Sequence, residues 1–340
     1  MPMKKIFIAA LSVFLLNPAG AQQKPHYTQY ILNQYIVNPA LTGIENYVDV
    51  KLSHRHQWVG LADAPVTTYF TIHGPIGKSD LKTTATSFEI PGENPRGRGY
   101  WQEYVASAPH HGWGLQVIND RTGPLNQFSA FGTYAYHVGL TPTMNLSAGI
   151  GLGINSISLN TSKLEFNVPV DPAVYGSGEI NKLNFDMNAG LYLYSGDYFI
   201  GVSAQQIVPS KIVFAENSIK QQDSKKVPHL FLHAGYRFLV GENFNLLPSL
   251  MVKYISPLKP QPEANVKLQY QDKFWVGASY RHEEGFAGMA GINIGNTMNI
   301  GYAYDYTISD LNTFTKGTHE IMVGFTLGNK YGDTCPRNVW

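Results

Sequence analysis

The sequence predicts an all-β chain: a transmembrane antiparallel up-and-down β-barrel of about 14 strands, with a short N-terminal periplasmic or plug segment ahead of it. Three observations lead there. Of 340 residues, 44% are hydrophobic, 13% aromatic and only 14% charged, where an average soluble domain carries roughly 25% charge. Segments of strand length with alternating polarity recur from residue 48 almost to the C-terminus. Short and long connections between them alternate.

The chain opens with an address. Lys4 and Lys5 precede an apolar run from Ile6 to Leu16, followed by Ala19-Gly20-Ala21. A basic stretch, an apolar stretch too short to span a bilayer and small residues at a cleavage position read as a secretory signal peptide over residues 1–21. Cleavage after Ala21 leaves Gln22 first, with no cysteine there for a lipid anchor. No later run reaches the roughly 18 apolar residues of a membrane helix, so any membrane crossing is made by strands.

Residues 22–47 form the N-terminal periplasmic or plug segment. Tyr27, Tyr30, Ile31, Gln34, Tyr35 and Asn38 recur at three- and four-residue steps, the spacing of a short helix that plugs the periplasmic mouth or docks a partner. Pro39 fixes its own φ and biases Asn38 away from helix, which ends the stretch before the barrel begins.

Strands are read at 48–58, 66–73, 112–120, 126–139, 144–158, 184–195, 198–208, 228–240, 244–256, 262–270, 274–282, 285–294, 298–307 and 318–328, within a barrel spanning 48–328. Many approach the 9–11 residues that a tilted strand needs to cross a bilayer. In 144–158 the residues Leu146, Ala148, Ile150, Leu152 and Ile154 share one parity, and Asn145, Ser147, Gly149, Gly151, Gly153 and Asn155 the other. Met298, Ile300, Tyr302, Tyr304 and Tyr306 likewise oppose Asn299, Gly301, Ala303 and Asp305. A soluble sandwich alternates too, but its outer face is rich in Lys, Glu and Thr because it meets water. Here the apolar face is assigned to lipid and the small polar face to a lumen lined by few charges.

Tight turns at 141–143, 196–197, 241–243, 271–273 and 296–297 alternate with links at 159–183, 209–227 and 308–317. Outer-membrane barrels show this asymmetry, with short periplasmic turns and longer external loops, and an even strand count puts both termini on the periplasmic side. Residues 74–111 break the pattern as an atypical insertion where a short turn is expected, and 329–340 form a C-terminal tail.

Several motifs then point to a family. Thr28-Gln29-Tyr30, Asn38-Pro39-Ala40 with Gly43, Arg55-x-Gln57-Trp58, Ala64-Pro65, His73-Gly74-Pro75 and Ile118-Asn119-Asp120 with Gly123-Pro124 follow in order over residues 27–137. This arrangement resembles the PorP/SprF family of type IX secretion outer-membrane proteins of Bacteroidetes; the remainder of the chain shares only its strand rhythm. The resemblance implies a non-enzymatic cell outer-membrane component that assists export or surface attachment of a cargo such as a gliding adhesin. Its implied partners are an exported protein with a C-terminal sorting domain, other type IX components and outer-membrane lipid. Partner contact is expected at Tyr27, Tyr30, Tyr35, Asn38, Pro39, Arg55, Gln57 and Trp58.

Other chemistries find less support. A net charge of +1 offers no concentrated basic surface for nucleic acid. Cys335, the single cysteine, excludes an intrachain disulfide and a cysteine-based zinc site. His54 and His56 share a face without an acid or thiol to complete a metal set, and read as a polar pair at the lumen or rim; His110-His111 reads as a loop dipeptide with no metal set. Ser53 with His54, or Ser279 with His282, would be the candidates for a membrane hydrolase, but sequence proximity is not a triad. The glycines of 149–153 alternate in a strand and precede no helix, so they are not a phosphate loop. His282-Glu283-Glu284-Gly285 reads as a hairpin tip. No catalytic residue, metal or cofactor is assigned, and the alternative to a secretion component is a passive porin.

Overall fold

The computed structural model describes residues 27–78, 106–163, 179–210, 226–240, 244–271, 273–295 and 297–329. The signal peptide, most of the 74–111 insertion and the end of the tail therefore lie outside the described residues. The strands are β1 (Val48–His56), β2 (Val66–Ile76), β3 (His110–Thr122), β4 (Leu125–Thr141), β5 (Met144–Asn160), β6 (Glu179–Tyr194), β7 (Tyr198–Gln205), β8 (His229–Tyr236), β9 (Phe238–Val240), β10 (Phe244–Ile255), β11 (Gln261–Tyr270), β12 (Phe274–Arg281), β13 (Gly285–Ile294), β14 (Met298–Thr307) and β15 (Thr318–Leu327).

Apart from β8 and β9, each strand pairs antiparallel with its sequence neighbours, and β15 pairs with β1, so the sheet closes on itself. β8 and β9 both pair with β10 and make one stave, which gives a closed barrel of 14 staves as the sequence predicts. Arg237 interrupts that stave because its N–H leaves the ladder to reach the Asp197 carbonyl at 2.7 Å, while its guanidinium donates to the Gly196 carbonyl. Closure matters physically: a bilayer has no water to satisfy a free strand edge.

Alternation sorts side chains as expected. On β5, Ile150 and Leu152 are each 47% exposed on the outer wall, whereas Asn145 and Ser147 are fully buried inside. Outward aromatics gather at both ends. Trp113, Tyr134, Tyr236, Phe244 and Phe274 ring the short-turn end, and Tyr254, Tyr280, Phe286, Tyr304 and Tyr306 the opposite, long-loop end. Neighbouring rings touch, as in Tyr236–Phe238 at 4.6 Å and Tyr280–Phe286 at 4.9 Å between centroids. Amphipathic rings at two levels with aliphatic residues between them match the two interfaces of a membrane.

The inside departs from expectation. Few luminal charges are expected, yet Asp49, Lys51, Arg55, Asp186, Lys253, Glu263, Lys267, Asp305 and Glu320 all point inward and are buried. β1 carries three of them on one face, Asp49, Lys51 and Arg55, and β11 carries Glu263 and Lys267, while Lys253, Asp305 and Glu320 each stand alone on their strands' inner faces; the register makes them neighbours across strands. His54 and His56 face the outer side of the wall rather than the lumen, and His54 Nδ1 shares a hydrogen with Thr68 Oγ1 at 2.8 Å.

The lumen is filled by the chain's own N-terminal segment. Residues 28–45 are all buried. They form three 3-10 turns, Thr28–Leu32, Gln34–Ile36 and Pro39–Leu41, rather than one amphipathic helix. A one-sided helix needs a wet face, and a segment walled in on every side has none. The Asn38 side chain caps the third turn by accepting the Ala40 N–H at 2.9 Å.

Candidate functional site: a latched plug beneath a vestibule

The small luminal residues are the mould of the plug. A Cβ on Gly149 would lie 2.4 Å from the Pro39 carbonyl oxygen, and one on Gly190 would lie 2.0 Å from Asn38 Oδ1. At Gly149 backbone meets backbone, and at Gly190 the barrel backbone meets the Asn38 amide; a side chain at either position would have to displace the plug.

At the short-turn end three histidines hold the plug. His137 Nε2 donates to the Thr42 carbonyl at 2.8 Å, and the Gly43 N–H donates to His73 Nδ1 at 3.2 Å. The His110 ring stacks on His137 at 4.5 Å and 3°. Along the middle, Asn38 Nδ2 donates to the Leu191 carbonyl at 3.0 Å and Gln205 Nε2 to the Val37 carbonyl at 2.7 Å. Tyr35 Oη meets Thr133 Oγ1 at 2.6 Å, and Asn265 Nδ2 donates to Tyr30 Oη at 2.6 Å.

At the long-loop end the plug is latched by charge. The Thr28 hydroxyl donates to Asp305 Oδ2 at 2.7 Å and accepts from Arg55 at 2.7 Å and Arg281 at 2.6 Å. Its backbone N–H donates to Glu320 at 2.8 Å. Arg55 spans Asp305 at 2.7 Å and Glu320 at 3.1 Å, and Arg281 spans Glu263 and Asp305 at 3.1 Å each. These residues sit at one level of adjacent staves. Between them β13 contributes only Ala287, which pairs with Asp305 in register and leaves room for Arg281 to reach across.

Above this floor opens a cavity of about 430 Å³ bordered by Arg55, Gln57, Trp58, Asp120, Glu283 and Glu284, among others. Trp58 holds φ +45° and Glu283 φ +64°, conformations that side chains other than glycine adopt rarely and that concentrate at binding surfaces. The Trp58 N–H is tied to Thr318 Oγ1 at 3.1 Å.

The residues nominated from sequence divide accordingly. Arg55, Gln57 and Trp58 border the vestibule, and Tyr27 lies just below, its ring edge-on to Tyr69 at 5.3 Å. Tyr30, Tyr35, Asn38 and Pro39 are buried along the plug. Thr28, Arg281, Asp305 and Glu320 are absent from that set. Thr28 stood within the Thr28-Gln29-Tyr30 motif, and for Asp305 the available signal was a lone carboxylate on a small-residue face, after Asn299, Gly301 and Ala303. Ser53 and His54 point to opposite sides of the wall, and Ser279 donates to Glu263 at 2.8 Å while His282 sits in an exposed turn, so neither nominated serine–histidine pair forms. Among the described residues no group of three metal-ligating side chains gathers.

A closed sheet with an apolar outer band, two aromatic belts and a polar plugged interior defines an outer-membrane β-barrel. The chain belongs to the PorP/SprF family of type IX secretion system membrane proteins, whose pattern it matches over residues 19–325. It is similar in structure to the toluene transporter TbuX of Ralstonia pickettii, at 11% identity and TM-score 0.49, over 85% of this chain and 92% of that one. It is also similar to Omp33 of Acinetobacter baumannii, at 10% identity and TM-score 0.43, over 84% and 100%. Among curated proteins no sequence relative is found.

Proposed function

We propose that this protein is a non-enzymatic component of the type IX secretion or gliding machinery that assists export or surface attachment of a cargo protein such as an adhesin. In this reading the long-loop end faces outward after signal-peptide cleavage, and the vestibule presents the partner-binding surface. The observation that carries it is the latch of Thr28 by Arg55, Arg281, Asp305 and Glu320. A lumen occupied along its height and pinned at both ends favours a rigid platform over a passive pore, because diffusion needs a wet, continuous path.

The test is recovery of partners from native outer membrane with a tagged copy of this chain. A large exported protein with a C-terminal sorting domain is expected in the eluate. Recovery of lipids and porins alone would defeat the reading.

A further inference from the structure

We infer that the vestibule is the exit of the chain's own amino-terminal segment, so that the residues preceding Tyr27 stand on the outer face of the membrane beside the long loops. The outward direction of the long-loop end is taken from the reading above; what is added is a chain end displayed on the surface that a partner meets.

Strand β2 gives the direction of the plug. It starts next to Pro65 at the vestibule border and ends at Ile76 on the short-turn side, and its inward residues touch the plug in order. Tyr69 packs edge-on against Tyr27 at 5.3 Å, Thr71 Oγ1 accepts from Asn33 Nδ2 at 3.0 Å, and His73 Nδ1 accepts from the Gly43 N–H at 3.2 Å. Early plug residues therefore stand at the long-loop level and late ones at the short-turn level. The two extremes agree: Thr28 is held by Arg55, Arg281, Asp305 and Glu320, and the Thr42 carbonyl by His137 toward the end of β4. An even strand count places the barrel's own ends together, and Val48 indeed faces Leu327 in register at the short-turn end. The chain does not begin at β1, however. Residues 28–45 have already run the height of the lumen in the opposite sense.

The plug and the wall close the other routes. Below Tyr27 the lumen is filled by residues 28–45, all buried. Beside it the ladder is continuous, since Tyr69 pairs with Ser53 of β1 on one side and Ile118 of β3 on the other. A segment leaving sideways would also carry its backbone polar groups into hydrocarbon without partners. Tyr27 itself is half-buried, just under the cavity of about 430 Å³ bordered by Gln57 and Trp58. Whatever stands before Tyr27 leaves by that mouth, wherever the signal peptide is cut. With cleavage after Ala21 the emerging residues are Gln22-Gln23-Lys24-Pro25-His26. A partner docking at the long-loop end then meets a terminal amine and Lys24 rather than an empty cavity.

The test is cysteine labelling of the full-length chain in the outer membrane of intact cells, with the single native cysteine removed as Cys335→Ser. The probe is a maleimide carried on a polyethylene glycol too large for porins. Gln23→Cys is expected to react in intact cells to at least half the extent reached after lysis. Lys259→Cys, exposed in the link after β10 at the long-loop end, should behave alike, and Lys273→Cys, exposed in the short turn before β12, should react only after lysis. The heat-modifiable gel band of each variant shows that it folds. If Gln23→Cys reacts only after lysis, or not at all, while Lys259→Cys reacts in intact cells, the exit is overturned and the outward orientation stands. If Lys259→Cys reacts only after lysis, the orientation itself fails and the display of the amino terminus falls with it.

Discussion

Arg55 on β1 and Asp305 on β14, separated by 250 positions in the chain, meet at 2.7 Å inside the barrel and both hold the hydroxyl of Thr28. That triangle joins the seam of the barrel to its plug. Neither arginine nor carboxylate sits comfortably in a dry interior alone, so the network is stable only when complete.

Removing Arg55 should therefore cost more than removing the hydroxyl it holds. Arg55→Ala strands Asp305 and Glu320 and is expected to destabilise the barrel by about 3–5 kcal/mol. Thr28→Val loses one polar group and should cost about 1–3 kcal/mol. Thermal loss of the heat-modifiable band orders the two; the reverse order would show that the network does not act as drawn.

The glycine mould predicts a sharp positional contrast. A Cβ on Gly190 would strike Asn38, whereas one on Gly288 meets nothing within 4 Å. Gly190→Val should unseat the plug and lower the melting temperature, while Gly288→Ala should leave it near the native value. Equal melting of both variants would mean that the plug is not packed against β6.

Deletion of residues 28–45 should open the lumen. In planar bilayers the native barrel is expected to stay nearly silent and the deletion variant to show discrete conductance steps. Native steps as large as those of the deletion variant would return the passive pore to first place.

The outer band is testable at one residue. Leu152, in the middle of β5, is 47% exposed on the wall. Leu152→Arg should cost about 2–4 kcal/mol of folding stability in lipid. Refolding titrations into vesicles give the value, and a neutral result would contradict a lipid-facing position.

Strand positions and parity were legible because a closed sheet in a membrane imposes a period of two on every stave. Leu146 to Ile154 could be placed outside and Asn145 to Asn155 inside from their order alone. The motif residues Arg55, Gln57 and Trp58 were legible as well, since they stand together in the chain and at one mouth of the barrel. Glu263, Arg281, Asp305 and Glu320 were not. They lie on four different strands, and Arg281, Asp305 and Glu320 are each the single charge on their strand's inner face, so no count along one strand shows them as a cluster.

What the sequence determined by itself is the barrel: its stave number, its two faces and the family to which it belongs, because those follow from local alternation and contiguous motifs. Tertiary structure alone decided that the lumen is closed and where its charges converge. Closing the sheet brings β1 beside β15 and aligns remote positions at one level. Threading residues 28–45 through the centre then turns a row of glycines into a mould and a scatter of single charges into a latch.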